Sequence, residues 1–230
     1  MSHRYLDTLT TDGVRAAQER YGSRDAMDRL VRSWHTGGLL GPEEVAFLAG
    51  RDGFYLATVG ETGWPYLQYR GGPPGFLHVL PPREGPDPRE RHSVLAWADL
   101  RGNRQYLSVG NLARSPRVSL FLMDYSHRRR LKILGTAAVV DVRDDPPDGV
   151  APVLEAARGQ GTAERVVTVD VHGYDWNCPQ HITPRWTEPE LAGALRPVRD
   201  EISRLRTEND ALRRQLRAER GHTDQDDHEQ

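Results

Sequence analysis

Three short segments hold residues whose chemistry exceeds what a turn or a strand needs. The first is WPYLQYRGGPPG at 64–75, with three glycines and three prolines in twelve residues. A Gly-Gly-Pro-Pro-Gly run ends a strand and lets the backbone approach another group closely. Strand alternation puts Gln68 and Arg70 on one face. An amide beside a guanidinium suits an anionic, hydrogen-bonding ligand, although a solvated strand face leading into a loop explains the pair equally well. The second segment is DLRGNRQYLSVGN at 99–111. A strand end, Gly102-Asn103 and a helix start make a phosphate-binding arrangement, in which Asn103 caps the helix and Arg104 neutralises phosphate oxygens. Taken alone, an ordinary N-cap is the stronger explanation of those residues. The third is YDWNCPQHITPRW at 174–186. Trp176, Asn177, Gln180 and His181 on a proline-bounded loop combine aromatic and amide groups suited to a planar heteroaromatic ligand. His181 alone also reads as a surface hydrogen-bonding residue, and Cys178 as a small buried apolar one.

These segments need strands and turns to position them. Residues 4 to about 33 read as a polar helical stretch with Leu6, Val14, Met27 and Leu30 as its buried contacts. Gly41-Pro42 opens a short helix with Glu43 and Glu44 in its first turn and Val45, Phe47 and Leu48 on its buried side. Strands are expected at 54–60, 64–70, 75–80, 93–100, 117–125, 130–142 and 164–176, with a Pro-rich surface loop at 81–90. Helices are expected at 103–113, ended by Ser115-Pro116, and at 150–158. Strand-rich order without regular alternation of strand and helix argues for an antiparallel, mainly β, α+β architecture, a closed or split barrel. Domain organisation follows: a helical segment at 1–40, the barrel at 41–187, a heptad helix at 188–220 and a disordered acidic tail at 221–230.

Composition narrows the function classes. Hydrophobic residues make up 37% and charged ones 28% of 230 residues, enough apolar material for one core. The formal net charge is −2, and four of the 33 acids fall in the last ten residues, so the rest is close to neutral. That balance points to no nucleic-acid partner. The basic run His127-Arg128-Arg129-Arg130 reads as a solvated turn. One cysteine excludes an intrachain disulfide. No Cys/His spacing marks a metal site and no G-x-S-x-G elbow occurs. With no apolar span or signal-peptide core, a soluble cytoplasmic protein without membrane partners is the expectation.

The order of blocks resembles one family. LATVGETGWPYLQYRGGPPGFLHVL (56–80), WADLRGNRQYLSVGNLARSPRVSLFLMDY (97–125), RRRLKILGTAAVVDV (128–142) and YDWNCPQHI (174–182) resemble the FMN-binding split barrels of the pyridoxamine 5'-phosphate oxidase superfamily, in its uncharacterised flavin-nucleotide-binding branch, over roughly residues 40–187. The resemblance implies a homodimer with FMN at the subunit interface, acting as an FMN-dependent oxidoreductase on an unknown small molecule. It places Gln68 and Arg70 beside the flavin, and Asn103, Arg104 and Ser108 on the ribityl phosphate. Arg130 matches a polar position on the neighbouring strand. The loop of Trp176, Asn177, Gln180 and His181 would cover the ring or reach it from the other subunit. No catalytic residue is assigned; His181 is the candidate acid or base because its ordinary pKa lies near neutrality. Two departures from the vitamin B6 oxidase argue against that substrate: its C-terminal Arg-x-His segment is missing, and the helix after Asn103 reads about one turn longer. A non-catalytic flavin-binding or redox-sensing module, and the same fold holding deazaflavin or haem, are the alternatives.

Beyond the barrel, Leu191, Leu195, Val198, Ile202, Leu205, Asn209, Leu212 and Leu216 recur at spacings of four and three, a heptad seam. With Ile202, Asn209 and Leu216 at a and Leu205 and Leu212 at d, Glu201 and Glu208 fall at g and Arg206 and Arg213 at the following e, the pattern of a parallel dimer. Pro197 is expected to start the continuous helix. The competing expectation packs the stripe on the barrel.

Overall fold

The computed structural model describes residues 4–33, 37–84, 91–144, 149–176 and 180–226, with the side chains of residues 33 and 218–226 left aside. Two compact units emerge, Met1–Thr183 and Pro184–Gln230.

In the first unit the core is one seven-stranded antiparallel sheet with flanking helices. Its strands are β1 (Gly53–Val59), β2 (Pro65–Gly71), β3 (His78–Glu84), β4 (Arg91–Leu100), β5 (Arg117–Asp124), β6 (Arg129–Asp141) and β7 (Ala163–Trp176), in the order β2-β1-β5-β6-β7-β4-β3. The sheet coils into a split barrel and does not close. Alternation explains the coil: Phe54 and Leu56 from β1, Leu120 and Leu122 from β5, Leu131 and Ile133 from β6, and Val167 and Val169 from β7 all enter one core with Trp97. A smaller cluster of Ala96, Val150, Val153 and Val166 lies under helix α6 (Ala151–Ala156).

The two sheet edges are blunted. β3 carries Pro81 and Pro82 where its register with β4 shifts, between Leu80 and Arg83. Strand therefore continues four residues into the expected surface loop; proline is tolerated there because an edge strand leaves N–H positions without ladder partners. On β2 the hairpin register sets Gly53 opposite Gly71. The Tyr69 ring occupies the space a side chain at either glycine would need. That crowding, rather than loop freedom, accounts for glycine at both positions.

The N-terminal stretch differs from expectation. It forms three helices, α1 (Arg4–Leu9), α2 (Asp12–Arg20) and α3 (Arg24–Ser33). Thr10 bonds back to the Leu6 carbonyl at 2.7 Å, Thr11 takes an extended N-cap conformation, and Gly22 turns at φ +71. The buried residue is Tyr5, not the expected apolar set. Its backbone sits so close to Gly173 that a Cβ there would lie 2.8 Å from the Tyr5 nitrogen.

Helix α4 (Pro42–Ala49) forms where its proline and acids place it, but buries Glu44 and exposes Val45. Glu44 accepts the Gly41 N–H at 2.9 Å, the half of a capping box open to a glycine N-cap, and accepts the Trp176 indole N–H at 2.6 Å. At the turn between β5 and β6, Asp124 is buried and takes Arg51 at 3.1 Å and the His127 backbone N–H at 3.1 Å. Burial pushes this carboxyl up, but hydrogen bonds from His127, the Arg51 charge and Ser126 outweigh it and hold its pKa below the ordinary value.

The second unit is helix α7 (Glu188–Asp226). It starts nine residues before Pro197, which lies inside it, and runs into the stretch expected to be a disordered tail. A helix this long tolerates the one hydrogen bond that proline removes, a cost of about 3 kcal/mol. Leu191, Leu195, Val198, Ile202, Leu205, Leu212 and Leu216 are all exposed. Arg204 pairs with Glu201 at 2.7 Å and Glu208 at 3.3 Å within the helix. No helix among the described residues is long and apolar enough to cross a membrane.

Leu120→Ala should cost about 2–5 kcal/mol, the range for a buried leucine whose cavity cannot fully collapse, with an unchanged denaturant m-value in urea unfolding. Asp124→Asn should cost about 1–3 kcal/mol at pH 7. Because the native carboxyl sits below its unfolded value, that stability is present above about pH 4 and lost as pH falls through the folded pKa. Unfolding titrations should therefore separate the two proteins at pH 7, and the difference should shrink as the pH is taken below about 4.

Candidate functional site

The second sequence segment folds into a loop that exposes donors. β4 ends at Leu100, and helix α5 (Leu107–Arg114) begins four residues later than expected. Asn103 does not cap it. Its side-chain oxygen instead accepts the Gln105 N–H at 3.2 Å, and its amide reaches the Gln105 side chain at 3.2 Å. This local bond competes with helix propagation, as short amide side chains do. Arg104 at φ 62 and Tyr106 at φ 53 take left-handed backbone that non-glycine residues seldom adopt. Tyr106 is the N-cap and supplies no side-chain bond, so first-turn N–H groups of α5 stay available to a ligand.

Beside this loop lies a cavity of about 200 Å³. Gln68 and Arg70 from β2, Asn103 and Arg104 from the loop, and Ser108 from α5 all line it. Ser108 donates to the Gln68 side-chain oxygen at 2.8 Å, which leaves the Gln68 amide N–H groups for other acceptors. Asn111 donates to Thr58 at 3.0 Å and fixes α5 on β1. Arg104 is exposed and has no ion-pair partner among the described residues.

A charge network builds the wall. Asp99, 3% exposed, takes Arg70 at 2.5 Å and Arg165 at 2.8 Å. Arg165 also meets Glu164 at 3.0 Å, and Glu164 takes Arg101 at 2.8 Å and the Tyr106 hydroxyl at 3.2 Å. The Arg165 guanidinium lies 4.9 Å from the Tyr106 ring centre. Hydrogen bonding from Arg101 is the main cause holding the Glu164 carboxyl below its ordinary pKa. Asp99 and Arg165 face each other in register between β4 and β7. Sequence reasoning missed Arg165 and the role of Asp99, 66 residues apart. The available signal was a charged residue at the head of the otherwise β-branched run ERVVTV.

Other expected residues sit elsewhere. Arg130 lies on β6 with its guanidinium 5.3 Å from the Phe121 ring centre, on the sheet face that carries Tyr55 and Tyr69. Trp176 ends β7, the strand that begins near Arg165. The two are separated by roughly 36 Å along an extended strand at ~3.3 Å per residue. Trp176 packs edge-on against Phe47 at 4.8 Å, with Arg129 4.4 Å from its ring centre. It does not line the cavity of its own chain. Gln180 and His181 follow in an exposed turn, with His181 at φ 63. Asn177 and Cys178 lie outside the described residues.

Comparison with known families gives one match, to the model of pyridoxamine 5'-phosphate oxidase, over residues 40–170, more than half of the chain. The chain belongs to the pyridoxamine 5'-phosphate oxidase family. No curated protein matches. Among solved structures, HupZ of Group A Streptococcus is similar over 64% of this chain and 100% of its own, at 11% identity and a TM-score of 0.45. A candidate pyridoxamine 5'-phosphate oxidase from Lactobacillus delbrueckii is similar over 60% of this chain and 94% of its own, at 24% identity and a TM-score of 0.42. An FMN-binding protein from Syntrophomonas wolfei covers 71% of this chain and 97% of its own, at 9% identity and a TM-score of 0.42. The assignment rests on the family match alone.

For a member of the pyridoxamine 5'-phosphate oxidase family, the test is whether this cavity fits a flavin nucleotide. Its donor set does. An unpaired guanidinium and uncapped helix N–H groups suit a phosphate dianion. The Arg70 Nε–H is buried without an acceptor among the described residues. At about 200 Å³ this cavity by itself suits the phosphate end of a nucleotide, below the ~300–1,000 Å³ that encloses a drug-sized ligand. The matched region contains every residue of the cavity and excludes Trp176 to His181.

Asp99→Asn should destabilise the barrel by about 3–5 kcal/mol, since it leaves two largely buried guanidiniums without their shared carboxylate. Urea unfolding measures that loss. The double variant Asp99→Asn, Arg165→Met should recover part of it.

Proposed function

We propose that this chain is an FMN-binding flavoprotein, a flavin-dependent oxidoreductase acting on a small molecule as a homodimer. The observation that carries the reading is convergence. Gln68, Arg70, Asn103, Arg104 and Ser108, drawn from two distant segments, line one cavity in a chain of this family. Arg104, Ser108 and the first-turn N–H groups of α5 would hold the phosphate. Asn103 sets the loop that presents Arg104. Gln68 and Arg70 would orient the ring by hydrogen bonds to its polar edge. A bound flavin supplies hydride or electron transfer, while the chain supplies position and charge.

One observation favours a dimeric site: the face of β2 opposite Gln68 and Arg70 exposes Leu67 at 61% and Tyr69 at 56%. A second copy would then bring Trp176, Asn177, Gln180 and His181 to the ring; Trp176, Gln180 and His181 do not line the cavity of their own chain. Arg130, on the same sheet face as Tyr69, would lie at that contact.

Protein purified from a flavin-replete host should be yellow. Arg104→Ala should weaken FMN by about 1.5–3 kcal/mol, the worth of a charge-assisted bond, and riboflavin little, as measured by flavin fluorescence titration. Equal losses for both would remove Arg104 from the phosphate. A Soret band in the purified protein would replace FMN by haem, and a single band at shorter wavelength than flavin's would replace it by deazaflavin.

The exposed seam of α7 favours a second element of the reading, a parallel coil that serves as an output in a redox-sensing module. Its charges are shared within the helix, where Arg204 holds both Glu201 and Glu208, so exposed cross-pairs would contribute only about 0.2–1 kcal/mol each. In a Cys178→Ser background, Asn209→Cys should cross-link two chains under oxidation, and Leu205→Glu with Leu212→Glu should abolish the cross-link while FMN stays bound. Failure of Asn209→Cys to cross-link at all would rule out the coil. Bound FMN that stays inert to NAD(P)H and oxygen would favour the sensor over the enzyme.

A further inference from the structure

A second cavity, of about 210 Å³, lies against the first and shares Arg70 and Leu100 with it. Its origin is the split itself. β3 begins at His78 and pairs with β4 only as far as Ala96. From Trp97 to Leu100, β4 has no strand on that side, and β2 ends at Gly71. Helix α6 closes the gap, with Val153, Ala156 and Ala157 facing the space left between the strands.

The lining is that of a binding site rather than a packing fault. Phe76, Trp97 and Leu100 make it apolar and partly aromatic. Its polar side chains, Tyr69, Arg70, His78, Trp97 and Gln160, all carry donors. The Trp97 indole N–H belongs to a side chain 1% exposed and has no acceptor among the described residues. A buried donor left that way is rare and costs about 1–3 kcal/mol. Trp97 lines this cavity and not the first. Arg70 uses Nη1 on Asp99, while its Nε–H, also buried, has no acceptor. Burial lowers the His78 pKa, so the ring is neutral at pH 7 and offers one N–H. Gln160 spends its amide N–H on the Ala156 carbonyl at 2.7 Å. No carboxylate lines the space. The network behind it sets three guanidiniums, of Arg70, Arg165 and Arg101, against the two carboxylates of Asp99 and Glu164, one positive charge in excess.

We infer that this cavity binds a compact aromatic carboxylate, its ring among Phe76, Trp97, Val153 and Ala157 and its anionic end toward the Trp97 N–H and Arg70. The volume lies below the ~300–1,000 Å³ of drug-sized sites, which limits the ligand to one or two rings. The inference stands on the cavity and does not need the flavin reading. If both hold, the ligand lies next to the cofactor, on the other side of Arg70.

The probe is benzoate, titrated calorimetrically into the protein as purified, with benzyl alcohol as its uncharged counterpart. Benzoate should bind one to one with a Kd of about 1 mM or tighter, and benzyl alcohol at least about tenfold more weakly. Trp97→Phe keeps a ring but removes the donor, and should weaken benzoate about tenfold, the worth of one hydrogen bond to a charged group. Ala156→Phe, which fills the space from an exposed position on α6, should abolish binding without touching the core. No saturable binding, or binding that neither Trp97→Phe nor Ala156→Phe weakens, overturns the inference. Displacement of bound FMN by benzoate overturns it too, because the space would then belong to the flavin ring. Benzoate binding that is sensitive to Trp97→Phe, in protein that carries no flavin, would refute the proposed cofactor and leave this site standing.

Discussion

Asp99 is a carboxylate removed from water, and it takes its partners from both sides: Arg70 across the split and Arg165 from the adjoining strand. Taking such a group out of water costs several kcal/mol unless its oxygens are paired and hydrogen-bonded. The two guanidiniums meet that demand and, in doing so, tie the first strand of the sheet to the sixth. Edge strand β2 has few other reasons to stay close to β4. It is half-exposed along its length and pairs only with β1. The split therefore has a defined width, and the cavities on either side of Arg70 have walls. A purely apolar contact could hold the strands as firmly, but it would leave neither cavity with a charged group at its mouth.

Helix α5 shows a related trade. Asn103 bonds locally to Gln105, the helix starts four residues later than expected, and Arg104 and Tyr106 take left-handed backbone. Each such residue costs of order 1–3 kcal/mol. What results is a helix start without a side-chain cap and an arginine without an acid, both facing one cavity. Backbone strain and unmet donors in the same six residues are what a loop shaped for an anion would show.

Much of this was legible in the residues. Alternation of large apolar side chains in FYLATV and RVSLFLMD located the core strands, and the glycine- and proline-rich run after Arg70 located the end of β2. Gln68, Arg70, Asn103, Arg104 and Ser108 were named from two segments, and the fold brings them to one wall. Other features were hidden because they depend on distant partners. In the sequence Glu44 reads only as a first-turn acid suited to the helix dipole, yet Trp176, 132 residues away, bonds to it and it is buried. Arg165 escapes sequence reasoning because its role depends on the register that sets it opposite Asp99. Proline ordinarily breaks strand and helix, which put Pro81 and Pro82 in a loop and Pro197 at a helix start. An edge position in the first case and sheer helix length in the second override the local rule.

The ring of Tyr69 lies across Gly53 and Gly71 and fills the room that side chains there would occupy. Those three positions are therefore not independent units of sequence change. A larger residue at 53 or 71 requires the exposed tyrosine ring to swing aside, and loss of the tyrosine opens both positions at once. A change at any one of the three therefore alters what the other two can accept.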